Sequence, residues 1–108
     1  MTSVVIYKDR DERITGFNMI GHAGAGEAGN DLVCCACSML CFNTINSIEA
    51  FTGEEMKLVM NEEAGLVDMV LKESPSKESE LLLKSFELGI KGLVNEYGSY
   101  INLKYREV

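Results

Sequence analysis

The chain has 108 residues, 46% of them hydrophobic, and 10 Lys and Arg against 17 Asp and Glu give a formal net charge of −7. That length holds one core and not two. The apolar content excludes a disordered chain, and the charge disfavours a nucleic-acid surface, which needs clustered lysine and arginine. A basic protein or peptide would be drawn in by such a surface, although solubility alone also accounts for the charge. No apolar run reads as a membrane span, so no membrane partner is expected. Met1 to Lys8 has no basic region ahead of an apolar stretch and does not read as a signal peptide.

In chain order, Val4-Val5-Ile6-Tyr7 is a short β-rich run, and the polar Lys8 to Glu12 reads as a turn. Arg13 to Ile20 follows as a second strand, so the chain opens with a hairpin. Residues 21 to 29 contain Gly21, Gly24, Gly26 and Gly29, which leave the backbone too free for a regular element. From Asp31 to about Thr52 the apolar spacing becomes helical: Val33, Cys37, Leu40, Cys41, Thr44, Ile45, Ile48 and Phe51 form one stripe, and Gly53 stops the helix. Glu55 to Glu62 and Gly65 to Lys72 read as strands joined by a turn over Asn61 to Gly65. Ser74-Pro75-Ser76 starts a second helix with proline in its entry turn, striped by Leu82, Phe86, Gly89, Ile90, Leu93 and Tyr97 and ended by Gly98. Ile101, Leu103 and Tyr105 alternate with polar residues in a last strand. The order β-β-α-β-β-α-β predicts an α+β two-layer sandwich, with two helices on one face of a mixed sheet, as a single domain over 1–108. Strand order is not legible in this pattern.

The stretch from Gly21 to Ser38 carries the chemistry. It holds the only histidine, His22, and three of the four cysteines, Cys34, Cys35 and Cys37. Asn30 or Asp31 can cap the first helix, which puts Cys34 in the first turn, where the partial positive charge favours a thiolate. His22 is then the available proton acceptor, and the pair reads as nucleophile and base. The glycine loop and the helix start can supply backbone N–H groups for an oxyanion. The alternative is a structural cysteine with a solvated loop histidine.

The other cysteines have plainer roles. Neighbours on a helix cannot easily bridge, so a reduced, cytoplasmic protein is the simpler reading. One histidine with clustered helical cysteines makes a poor zinc site, and paired CxxC motifs are absent, so no metal or cofactor is expected. Cys37 and Cys41 fall on the apolar stripe as small core residues, while Cys35 points about 100° away from Cys34. The glycines lack the lysine of a phosphate loop and suit a mobile peptide-binding loop, which a bound peptide would order around His22. Asp31 is a cap or a group that orients the imidazole. Ser38, one turn after Cys34, either bonds the thiol or substrate or bonds back to its own helix.

The pattern Gly21-His22-Ala23, a glycine-rich loop, then Gly29-x-Asp31-x-Val33-Cys34-x-Ala36-x-Ser38 resembles the ribosomal-processing cysteine protease family of bacteria. The resemblance runs over essentially the whole chain. It implies an endopeptidase that trims a short N-terminal extension from a large-subunit ribosomal protein (number twenty-seven). It also implies His22 as base, Cys34 as nucleophile, Asp31 and Ser38 in support, and a homodimer. Cys35 and Cys37 depart from it, since small apolar residues are more usual there. The rival is a ribosome-assembly factor on the same fold that binds the same protein without cutting it.

Overall fold

The computed structural model describes residues 1–21 and 28–108, the side chains of 28–31 excepted. The elements run β1 (Thr2–Lys8), β2 (Ile14–Ile20), α1 (Ala28–Phe51), β3 (Met56–Asn61), β4 (Leu66–Leu71), α2 (Lys77–Tyr97) and β5 (Ile101–Glu107). The turn between β1 and β2 is built by Asp9, whose carboxylate accepts from the backbone N–H of Asp11 at 2.9 Å and of Arg13 at 3.0 Å. Such Asx chemistry substitutes a side chain for a missing backbone partner and closes the hairpin. α2 starts one step later than the sequence suggests. Ser76 is its N-cap and accepts from Ser79 N–H at 3.1 Å, so Pro75 precedes the cap instead of entering the first turn.

The five strands form one mixed sheet in the order β3-β4-β2-β1-β5, antiparallel except for the parallel pair β1 and β5. Paired residues share a face, and the pairs Val4 with Met19, Ile6 with Phe17, Phe17 with Met69 and Met19 with Val67 put the apolar set on one side. That side meets Val33, Cys37, Cys41, Ile45 and Ile48 of α1 and Leu83, Phe86 and Ile90 of α2 in a single core. The Phe17 and Phe86 rings stack at its centre, 4.1 Å apart. This is the expected two-layer arrangement, with both helices on one face.

The stripes differ in detail. Leu83 is fully buried on α2 where the sequence pointed to Leu82, and Phe51 is 76% exposed at the end of α1, beyond its last core contact at Ile48. The stretch Leu32–Phe51 is also long and apolar enough, by length and composition, to cross a membrane, contrary to the reading of the sequence. Here that apolarity is used on the stripe from Val33 to Ile48, which packs against the sheet.

The opposite face is polar at its middle. Asp68 Oδ1 of β4 accepts from Tyr7 Oη of β1 at 2.5 Å and from Asn18 Nδ2 of β2 at 3.0 Å, linking three adjacent strands. Burial, followed by the hydrogen bond to Asp68, pushes the Tyr7 hydroxyl from an ordinary value of 10.0 to about 12. Tyr7→Phe is expected to cost about 1.5–3 kcal/mol at neutral pH, since one hydrogen bond to a carboxylate is lost. The raised value means the folded state holds this proton more tightly than the unfolded state. Its contribution is therefore complete below pH 10 and is lost as pH rises toward about 12. Urea melts should show a shallower alkaline fall in the variant than in the parent. Tyr105, raised to about 12 by burial and by Glu87, keeps part of that slope in both.

Candidate active site

Because β2 lies beside β4, the end of β2, one side of α1 and the β3–β4 hairpin converge. Between them is a cavity of about 380 Å³. Cys34, Ser38 and Phe42 line its α1 wall. They recur at every fourth residue, a spacing that stacks side chains on one side of a helix. Met19 and Gly21 come from β2 and its exit, and Met60 and Val67 from the hairpin. The lining is mainly apolar, with Asn61 and Glu62 at the hairpin turn. The thiol of Cys34 is free and half-buried at this wall. A free thiol is thus set at the edge of a slot that fits apolar side chains.

The approach of backbone to thiol depends on two glycines. Gly65 sits in the hairpin turn with φ +63°, and its carbonyl accepts from Gly21 N–H at 3.0 Å. A Cβ at Gly65 would run into the Gly21 carbonyl oxygen. A Cβ at Gly21 would lie 2.6 Å from Cys34 Sγ and 3.2 Å from Met19 Cε. The turn therefore holds the exit of β2, and that exit holds its backbone against the thiol. Gly21, expected as a freely moving loop residue, is a buried, hydrogen-bonded part of the wall.

The start of α1 corrects three expectations. The helix begins at Ala28, so Gly29 is helical and does not belong to the loop. Asn30 and Asp31 lie inside the helix and not at its cap, and Cys34 falls in the second turn and not the first. One glycine costs a helix only about 1 kcal/mol, which a long element packed on a sheet offsets. The field of a helix end fades beyond its first turn, so the position of Cys34 in α1 does not by itself favour a thiolate. His22, Gly24 and Gly26, and the side chain of Asp31, lie outside the described residues.

Ser38 shares the cavity wall with Cys34, as its spacing predicts. Phe42 extends the same four-residue spacing and was legible in principle. Met60 and Gly65 come from elements whose position follows only from strand order, and no local signal points to them. Cys37 and Cys41 are fully buried core residues, as expected. Burial pushes the Cys37 thiol up to about 12, with Cys34 adding to it, and pushes Cys41 up as well. Cys35 is exposed.

The family profile described as Cysteine protease Prp matches residues 1–102. The chain belongs to that family. It is 27% identical over 106 residues to the ribosomal processing cysteine protease Prp of Staphylococcus aureus (strain Mu50 / ATCC 700699), covering 98% of this chain and 100% of that one. Against the protein of the same name from Bacillus subtilis (strain 168) it is 28% identical over 101 residues, with 90% of each chain covered. A crystal structure of the S. aureus protease with a substrate peptide superposes with a TM-score of 0.92 at 26% identity, over 98% of this chain and 100% of that one. A second, with a covalently linked product peptide, gives 0.87 at 27% over the same shares. The fold matches throughout, and the chain is a cysteine protease.

Proposed function

We propose that this protease removes a short N-terminal extension from a large-subunit ribosomal protein (number twenty-seven), with Cys34 as nucleophile and His22 as base. The observation that carries the assignment is the free Cys34 thiol on an apolar cavity, with Gly21 against its sulfur. His22 follows Gly21 directly in the chain. The base is therefore one residue from a backbone group that touches the nucleophile.

His22 takes the thiol proton, and the sulfur attacks the scissile carbonyl. The imidazolium returns the proton to the leaving amine, and water activated by His22 releases the acyl product. Asp31 and Ser38 support the pair. The S. aureus relative with its covalently linked product peptide supports a route through an enzyme-bound intermediate. The reading includes no metal or cofactor and no direct nucleic-acid or membrane partner.

The test is to incubate the chain with the extended ribosomal protein and weigh the product. A shortened product identifies the substrate; an intact one, in the presence of a protease active on other peptides, overturns the assignment. We also place the enzyme in the cytoplasm as a homodimer, each copy using its single domain of 1–108. Light scattering should give twice the chain mass of 11.9 kDa. A monomer at micromolar concentration removes the dimer and leaves the chemistry standing.

A further inference from the structure

Two thiols of one helix face differ in what they can reach. Cys34 opens on the cavity. Cys37, one turn later, is fully buried in the core between α1 and the sheet. Helix geometry sets their Cα atoms about 5 Å apart, within the range that disulfides span. Burial raises the Cys37 thiol, and charge on Cys34 adds to it. The remaining thiols fit worse. Cys35 is exposed and about 100° around the helix from Cys34. Cys41 lies two turns from Cys34, and its sulfur is 3.5 Å from Met19 Sδ.

We propose that Cys34 and Cys37 form a peroxide-responsive pair, in which oxidised Cys34 is captured by Cys37 as a reversible disulfide within α1. The Cys34 thiolate attacks one oxygen of a hydroperoxide. An S–O bond forms, the O–O bond breaks, and the leaving oxygen departs as alcohol or water after taking a proton. The sulfur, oxidised by two electrons, is now a sulfenic acid. Cys37 then loses its proton and attacks that sulfur. The S–S bond forms, the S–O bond breaks, and hydroxide leaves as water with the Cys37 proton. A dithiol reductant restores both thiols.

The fully buried Cys37 is kept from solution peroxide, so it acts second. Burial makes it a poor acid, and the nearby Cys34 charge adds to that. Conversion of Cys34 to a neutral sulfenic acid removes the second contribution at the moment Cys37 must ionise. Cβ atoms one helical turn apart are about 5–6 Å from each other, wider than a disulfide accepts, so the bond needs a locally tightened turn. A strained bridge of this kind is easily reduced, which is what a reversible block requires.

The block on activity rests on Cys34 being the nucleophile, whereas bond formation does not. The purified chain is treated with hydrogen peroxide and unfolded in denaturant, its remaining thiols are alkylated there, and the products are weighed and mapped. The expected result is a mass lower by two hydrogens, alkylation at Cys35 and Cys41 only, a bridge mapped to Cys34 and Cys37, and activity restored by dithiothreitol. Cys37→Ala is expected to carry added oxygen on Cys34 instead and to recover about tenfold less activity on reduction. Cys37→Ser serves if the alanine variant folds poorly. A parent chain that accumulates sulfinic acid on Cys34 with Cys37 still alkylatable overturns the proposal. So does a bridge mapped to Cys35 or to a second chain. If the untreated chain cuts nothing, the mass map still decides the disulfide, and the failure belongs to the assigned function.

Discussion

Cys34→Ala should bind peptide and leave it uncut. Removing the nucleophile of an enzyme of this class lowers the rate by about 10⁴-fold or more. The substitution takes away a half-buried thiol, and the cavity wall retains Ser38, Phe42 and Met60. Stability should therefore shift by about 1 kcal/mol or less, and peptide affinity should stay within about threefold, because binding and bond-making depend on different groups. His22→Ala should fall to a similar residual rate, and the double variant no further, since residues that act as one unit give non-additive losses. Steady-state rates with a fluorogenic peptide, together with binding by fluorescence anisotropy, check both halves. The sharpest rival is Cys35, adjacent in sequence and exposed. Should Cys34→Ala retain more than about a hundredth of the parent rate while Cys35→Ala loses it, the nucleophile is misassigned.

Gly21→Ala should separate chemistry from folding. Its new methyl group would sit 2.6 Å from Cys34 Sγ, well inside contact distance. Either the sulfur turns away or the exit of β2 shifts and strains the 3.0 Å hydrogen bond to Gly65. A misplacement of about 1 Å at a reacting group can cost roughly 10²-fold in turnover, and that loss is expected in kcat. Iodoacetamide labelling of Cys34 should slow in parallel, since it reports the same sulfur without substrate. Gly92→Ala is the control: a Cβ there meets nothing within 4 Å, and α2 gains a better helix former worth about 0.5–1 kcal/mol. Parent-like turnover and labelling in Gly21→Ala would show that the thiol tolerates the methyl group and that the glycine is dispensable.

Local periodicity was enough to find every element, because burial imposes it on each segment separately. Val67, Met69 and Leu71 announce a one-sided strand, and Val33, Cys37 and Cys41 a one-sided helix. The alternation of Ile101, Leu103 and Tyr105 is likewise real, but exposure climbs along it to 44% at Tyr105. Such a strand carries no mark of how far its covering layer extends. Gly29 misled because glycine is read as a breaker, while tertiary packing of the rest of α1 outweighs its small cost. The residues assigned to the chemistry stand together in the sequence from Gly21 to Ser38. What could not be read was the wall opposite them. Met60, Val67 and Gly65 meet Cys34 only because β4 pairs with β2, and that pairing depends on the whole sheet. Tyr7 closed an apparently apolar run, yet it faces away from the core and bonds to Asp68, 61 residues later.

The order in which the chain is synthesised gives the stacked phenylalanines a further meaning. Every described wall of the cavity comes from residues up to 67, so the thiol, its glycines and the hairpin are synthesised before α2 and β5. Phe17 lies on the strand that leads to Gly21, and the ring that covers it, Phe86, belongs to α2. β5, which flanks β1 from Thr2 to Lys8, arrives last of all. A chain that ends at β4 would thus carry Cys34 with α1 alone on that face of the sheet and the part that α2 covers, Phe17 included, left bare. Until the final third is made, that half-covered sheet is exposed apolar surface of the kind chaperones shield.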